Sequence, residues 1–260
     1  SVPARSDTDR PQLLIFCGED DRTALRAKRL PISEVWWGGA ADRLDTTIAA
    51  TRELGAAADP IHVACITELC GFDIGFVPTL AKEWDGSLST LLDLVSSDAA
   101  GSHTAVKDSS TLTHRASPPP PASFLQDWNA GLIDAWGRYQ PFVAPTALSP
   151  DTRDEVLRTR LWRGQLRELM PLVDEERARL ETWVQSGAIQ DRAGPSPREP
   201  GPLARLMAQD AEARPRTSRT RRDAAFWLKS TRNELAHRNV ISPDEITQGL
   251  TLLDADRRER

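Results

Sequence analysis

The chain has few cysteines and no long apolar run. Its 260 residues include three cysteines, which are too few for a disulfide framework, so we interpret them as buried thiols of a protein in a reducing compartment. Four residues separate Cys65 from Cys70, which is not the spacing of a zinc knuckle, and no second ligand pair accompanies them. No apolar stretch approaches the roughly 20 residues of a membrane span, and no signal peptide opens the chain. These absences predict a cytoplasmic protein without a membrane partner.

Nucleotide-binding motifs are missing as well. The sequence contains no G-x4-G-K-[ST] and no G-x-G-x-x-G after a predicted strand, which argues against a P-loop ATPase. The formal net charge is −5, so the chain as a whole is not a basic nucleic-acid binder. Any contact with nucleic acid must therefore come from a local basic patch. The sequence indicates no cofactor and no metal site.

Residues 12–97 have the pattern of an α/β domain, whose function the sequence does not indicate. Short apolar runs read as buried strands at Gln12–Cys17, Glu34–Trp37 and Ile61–Ile66. Helices are predicted at Arg22–Leu30, Ala41–Leu54 and Leu88–Val95. Because strands and helices alternate, we predict a small parallel sheet with crossover helices.

A polar, Pro-rich segment at residues 98–122 is predicted to be a linker, because it contains Pro118–Pro121 and lacks apolar periodicity. Residues 123–256 are predicted to be a helical domain. Its first helix is expected to include Phe124–Trp136 and to end before Pro141. A longer amphipathic stripe follows, and Pro171 inside it predicts a kink or a division into two helices.

The last two predicted helices carry the most specific pattern. Asp223–His237 reads as a helix, and Ser242 begins a capping box for the next one. The first of them ends in the sequence T-R-N-E-L-A-H, which places Arg232 five positions before His237. A guanidinium holds phosphate bidentately, and a neutral imidazole moves a proton near neutral pH. On a helix the two residues lie about 140° apart, so they flank a groove instead of sharing a face.

The stretch R-N-x-x-A-H at Arg232–His237 resembles the R-x4–6-H signature of HEPN domains, a helical family with many metal-independent ribonucleases and toxins. The resemblance covers about residues 151–256 and implies RNA cleavage without a metal. His237 would act as general acid or base, Arg232 would stabilise the pentacovalent phosphate, and Asn233 would orient the site. The resemblance also implies a homodimer with facing motif helices, and a role in a toxin or anti-phage defence system with an antitoxin or sensor partner.

An arginine-rich segment precedes the motif helix. Its candidate RNA-binding residues are Arg214, Arg216, Arg219, Arg221 and Arg222. They would neutralise phosphates, whereas the alternative is a solvated linker. The resemblance further implies a polar residue on an earlier helix that faces the motif. The candidates for this position are Gln165, Asp174, Glu175 and Glu176.

Two other interpretations stay open. In the first, Arg232 pairs with an acid such as Glu234 or Asp244, and His237 caps the helix C-terminus, where a cation is favoured. The helical region is then a catalytically inactive module for dimerisation or partner binding, coupled to an α/β sensor domain. In the second, a small-ligand sensor is centred on the α/β sheet and the helices transmit its signal. RNA cleavage in the presence of EDTA distinguishes the ribonuclease from both.

Overall fold

The structure is a computed structural model that describes residues 39–102, 106, 122–137, 139–184, 204 and 217–259. These residues contain eight α-helices and one two-stranded antiparallel sheet. The helices are α1 (Arg43–Leu54), α2 (Pro60–Cys70), α3 (Val77–Glu83), α4 (Leu88–Ser102), α5 (Leu125–Asn129), α6 (Pro150–Trp183), α7 (Arg219–Ala236) and α8 (Pro243–Arg258). The strands are β1 (Ile133–Trp136) and β2 (Tyr139–Val143).

The predicted strand at Ile61–Ile66 is wrong, because these residues belong to helix α2. Asp59 caps the helix by accepting a hydrogen bond from the Ile61 N–H, and Pro60 occupies its first turn. Nine of its eleven residues are buried. A helix enclosed by protein has no polar face, so its continuous apolar run looks like that of a buried strand.

The rest of the predicted α/β domain is only partly described. The predicted helices at Ala41–Leu54 and Leu88–Val95 are confirmed as α1 and the first part of α4. The predicted elements Gln12–Cys17, Arg22–Leu30 and Glu34–Trp37 lie outside the described residues. What the structure shows is a mostly helical chain, in which the described residues form no parallel sheet.

The helix predicted over Phe124–Trp136 is a short helix followed by a β-hairpin. Helix α5 ends at Asn129, and Gly131 then adopts a φ of 72°, which a helix cannot contain. In the hairpin, Ile133 lies opposite Val143. The helical prediction is therefore wrong after α5, because the apolar spacing of this segment fits a helix while its backbone turns at the glycine.

Helix α6 is the longest element and is not divided at Pro171. The proline removes the N–H that would bond to the carbonyl of Arg167, one turn earlier. Both residues are exposed, so water can reach the unpaired carbonyl. This solvent-facing position explains why the predicted division is wrong, while the predicted long amphipathic helix is confirmed.

The main core joins α1–α4, the hairpin and the first part of α6. At the crossing of α2 and α6, a Cβ on Gly164 would lie 2.5 Å from the Cα of Cys65, so the two helices touch backbone to backbone. A second cluster joins the last part of α6 to α7 and α8.

The main core contains residues on both sides of the predicted linker at 98–122. Helix α4 extends to Ser102, and buried Val106 donates its N–H to the carbonyl of Ala147 at 3.0 Å. The division into domains at 12–97 and 123–256 stays a prediction. No helix in the described part of the chain is long and apolar enough to cross a membrane.

Candidate functional site

Helix α7 carries the predicted catalytic motif at its C-terminal end. Ser218 is its N-cap and accepts a hydrogen bond from the Arg221 N–H at 3.1 Å. The helix prediction for Asp223–His237 is confirmed, with a start at Arg219. Its buried side chains follow helical spacing, so the opposite side of α7 is open to solvent.

A Schellman turn closes α7. His237 is the C-cap, the Arg238 N–H donates to the Leu235 carbonyl at 3.2 Å, and the Asn239 N–H donates to the Glu234 carbonyl at 2.9 Å. Arg238 takes a φ of 62°, in the left-handed region that costs a side-chain-bearing residue about 1 kcal/mol. The turn therefore persists only because neighbouring contacts offset this cost.

Helix α6 supplies those contacts. The Trp162 indole Nε1 donates to the Leu235 carbonyl at 2.8 Å. The Gln165 side chain donates to the Ile241 carbonyl at 2.7 Å and accepts from the Ile241 N–H at 2.9 Å. The guanidinium of Arg238 lies 5.8 Å from the centre of the Trp162 ring. The backbone on both sides of the turn is thus fixed to one helix.

Gln165 is one of the four polar residues suggested to face the motif, and it does contact the chain just beyond it. The sequence signal was a polar residue on the buried stripe of an amphipathic helix. Asp174 and Glu175 are exposed, while Glu176 is buried in an ion-pair network. The amphipathic pattern did not indicate the role of Trp162, although an indole N–H is a donor that needs a partner when buried.

The three predicted catalytic residues lie on the last turns of α7. Arg232 is half-buried, and Asn233 and His237 are exposed. None of their side chains makes a hydrogen bond or an ion pair with another described residue. His237 occupies the C-cap, as the non-catalytic interpretation expected, but no ion pair joins Arg232 to Glu234 in the described structure.

Helix geometry sets the spacing of the pair. Arg232 and His237 are separated by a rise of about 7.5 Å and a rotation of about 140°. A phosphate group between them could contact both only at the groove beside the helix end. The end of α7 therefore presents a cation and an imidazole on adjoining flanks of the helix.

The proposed RNA-binding arginines have different surroundings. Arg214 and Arg216 lie outside the described residues. The Arg219 side chain is 89% exposed, and its Nε lies 3.6 Å from a carboxylate oxygen of Asp223. Arg222 is half-buried. Of these four, Arg219 and Arg222 are on the described surface of α7.

Arg221 belongs to the interior. Its Nε donates to the Asp256 carboxylate at 2.6 Å, and its guanidinium lies 4.4 Å from the centre of the Trp183 ring. Asp256 is fully buried and also accepts from Arg179. A phosphate could reach Arg221 only by breaking this pair, and loss of one partner of a buried ion pair is strongly destabilising.

The same network includes Glu176, which accepts hydrogen bonds from Arg179 at 2.6 Å and from Arg257 Nε at 3.0 Å. Burial alone would raise the pKa of Glu176, but the hydrogen bonds from the two arginines outweigh it and hold that pKa below its usual value. The network joins the ends of α6, α7 and α8 far from the motif turn.

A concave feature away from the motif turn lies between α1, α2 and α6. It is an open groove of about 380 Å³ lined partly by Arg43 and Arg167. Both arginines pair with the buried carboxylate of Glu68, Arg167 at 3.6 Å. The sequence did not indicate this cluster, because its members lie on helices that are distant in the chain.

The described residues contain no group of three or more His, Cys, Asp or Glu side chains that could hold a metal ion. Cys65 and Cys70 are buried free thiols, as expected, and burial raises the pKa of both. The chain matches no protein-family model, no curated protein and no solved structure.

Proposed function

We propose that the protein is a metal-independent endoribonuclease of the HEPN type, with its site at the C-terminal end of α7. One observation carries the proposal: the side chains of Arg232, Asn233 and His237 are presented without competing described partners at a turn anchored by Trp162 and Gln165. Groups held on a rigid support keep the geometry that a transition state requires.

The chemistry follows from the two ionisable side chains. His237 would take the proton from the RNA 2′-hydroxyl as its oxygen attacks phosphorus, or return a proton to the departing 5′-oxygen. The products would be a 2′,3′-cyclic phosphate and a free 5′-hydroxyl. The guanidinium of Arg232 would stabilise the charge on the pentacovalent phosphate. Asn233 would orient the phosphate by hydrogen bonding.

The resemblance to HEPN domains alone supports three further elements of the proposal. These are a homodimer with facing motif helices, an antitoxin or sensor partner, and a role in a toxin or anti-phage defence system. The reaction needs one group to take the proton of the 2′-hydroxyl and another to give a proton to the 5′-oxygen. A second copy would supply the second of these groups.

The test is cleavage of a labelled total-RNA pool in the presence of EDTA. His237→Ala should lower the rate by about 10²–10⁴-fold, the usual cost of losing a general acid or base. The melting temperature should stay unchanged, because the side chain is exposed and makes no described contact. Arg52→Ala, at an exposed position on α1, is the control and should cut like wild type. If wild type does not cut RNA, or His237→Ala cuts equally fast, the proposal fails.

One observation favours a second candidate function. His237 stands at a helix C-cap, where an imidazolium is stabilised by the helix dipole without any catalytic role. The helical region would then be an inactive module for association with a partner or a second copy. Sedimentation that shows a stable dimer, together with no RNA cleavage, would support this candidate.

A further inference from the structure

We propose that the exposed side of α7 is a track for single-stranded RNA, on which Phe226 stacks against a base and Arg222, Lys229 and Arg232 contact phosphates. The inference rests on the proposed ribonuclease function, because the track leads to the site at His237. It adds residues that the motif does not contain.

The exposed side of α7 is one continuous stripe. Its residues recur at steps of four and three positions, which return to the same side of a helix. They are Arg219, Asp223, Phe226, Ser230, Asn233 and His237, and all six are exposed. The stripe therefore runs the length of the helix and ends at two of the proposed catalytic residues.

Phe226 is an aromatic side chain that the core does not use. It is 43% exposed. The neighbouring Trp227 packs instead on Gly249 of α8 and donates its Nε1 to the Glu245 carbonyl at 3.0 Å. Aromatic rings on a surface offer a face on which any base can stack, and this recognition tolerates every sequence.

Three cations follow one edge of the exposed stripe. At about 100° per residue, Arg222, Lys229 and Arg232 lie on the edge opposite to Trp227, over a rise of about 15 Å. Each is half-buried, and none forms an ion pair with a described carboxylate. Their charge is thus available to phosphates and gives an acidic chain of net charge −5 a local positive field.

The charges favour RNA over a second copy as the occupant of this face. Packing α7 against itself about a two-fold axis would bring the same surface together on both protomers. Any such packing that placed the two cationic edges side by side would be repulsive, whereas a phosphate backbone neutralises them. In the proposed homodimer with facing motif helices, the RNA would therefore lie between the two copies of α7 and neutralise the cationic edges of both.

The experiment measures binding apart from cleavage. A fluorescein-labelled single-stranded 2′-O-methyl oligonucleotide has no free 2′-hydroxyl, so its anisotropy with the full chain in EDTA reports affinity alone. Phe226→Ala should weaken binding by roughly tenfold or more, and Phe226→Trp should restore it. Lys229→Gln should weaken binding less than Phe226→Ala does. It should also make binding less dependent on salt concentration, by the amount expected for the loss of one phosphate contact.

Matched controls lie on the N-terminal helices. Leu44→Ala removes a side chain that is 64% exposed on α1, and Lys82→Gln removes a cation whose side chain is 82% exposed on α3. Both should bind the probe like wild type. Equal losses in Leu44→Ala and Phe226→Ala would mean that the effect is nonspecific, and the track would be rejected.

The remaining outcomes separate the track from the ribonuclease. Wild-type binding by Phe226→Ala overturns the track, even if RNA is still cut. Probe binding that needs Phe226 in a protein that never cuts RNA upholds the track and rejects the ribonuclease. A shift to monomer in sedimentation of Phe226→Ala, with binding unchanged, would make this face a contact between copies and overturn the track.

Discussion

Helix α7 has two ends with opposite uses of arginine. At its start, Arg221 is buried against Trp183 and paired with Asp256. About three turns later, Arg232 is half-buried without a described ion pair. A buried charge must be paired, and its partner then restricts it to a structural role. An arginine that has no described carboxylate partner can bind an anionic ligand. The two ends of α7 therefore differ in whether the guanidinium is available for binding.

The largest expected effect tests the motif end. Arg232→Ala should lower RNA cleavage by about 10²–10³-fold, because a cation that stabilises transition-state charge is lost. Its free energy of unfolding should change by less than about 0.5 kcal/mol, as is usual for a surface substitution. Single-turnover cleavage and urea unfolding of the same preparation would measure both quantities. A large loss of stability in Arg232→Ala would instead show that Arg232 has a structural role, like Arg221.

The next effect tests the buried end. Arg221→Ala should destabilise the fold by about 3–5 kcal/mol, because it leaves Asp256 buried with one partner fewer. Arg219→Ala, two residues earlier and largely exposed, should change stability by about 0–1 kcal/mol. Urea unfolding of both variants makes the comparison. Equal, small losses of unfolding free energy in the two variants would show that the ion pair of Arg221 with Asp256 contributes little to stability. Burial of an arginine would then not indicate a structural role.

A smaller effect tests the support of the motif turn. Gln165→Leu removes both hydrogen bonds to Ile241 and should cost about 1–3 kcal/mol, because a buried N–H and carbonyl lose their partner. Faster amide exchange at Ile241 would show that the turn has loosened. Cleavage should fall as well, while Leu172→Ala on the same helix should lower stability without loosening the turn. Unchanged exchange in Gln165→Leu would contradict the anchoring role.

The smallest expected effect concerns how protein stability depends on pH through the buried ion-pair network around Glu176. The pKa of Glu176 is lowered in the folded protein, so the unfolded chain binds this proton more readily. Its stabilising contribution is complete above the usual glutamate pKa and is lost as the pH falls below it. Melting temperatures between pH 3 and pH 7 should therefore vary less in Glu176→Gln than in wild type. The exposed Asp174→Asn is the control and should keep the wild-type profile.

Sequence patterns predicted the amphipathic helices well and the enclosed segments poorly. The prediction of α8 rested on Ser242, whose side chain and Glu245 form the expected capping box. The pattern failed at α2, where Glu68 is the charged residue of an otherwise apolar helix and is buried beside Arg43. A buried helix and a buried strand bury the same apolar side chains, so composition does not separate them.

The candidate site was predicted in part. The pattern at Arg232–His237 located a helix end, and Gln165 was among the polar residues considered for its support. The sequence did not indicate Phe226, because an aromatic residue in an amphipathic helix usually belongs to the core. Only the structure shows that Phe226 is exposed while the next residue, Trp227, packs against Gly249 of α8.

The sequence by itself determined properties that depend on residues a few positions apart. These are the helix of the motif, the capping box at Ser242 that begins α8, and the spacing of Arg232 and His237. Tertiary structure alone decided which arginines are paired. Asp256 reaches Arg221 across 35 residues and Gln165 reaches Ile241 across 76. Such partners meet only after the helices have packed, since hydrogen bonds and ion pairs act over a few ångströms in space and not along the chain.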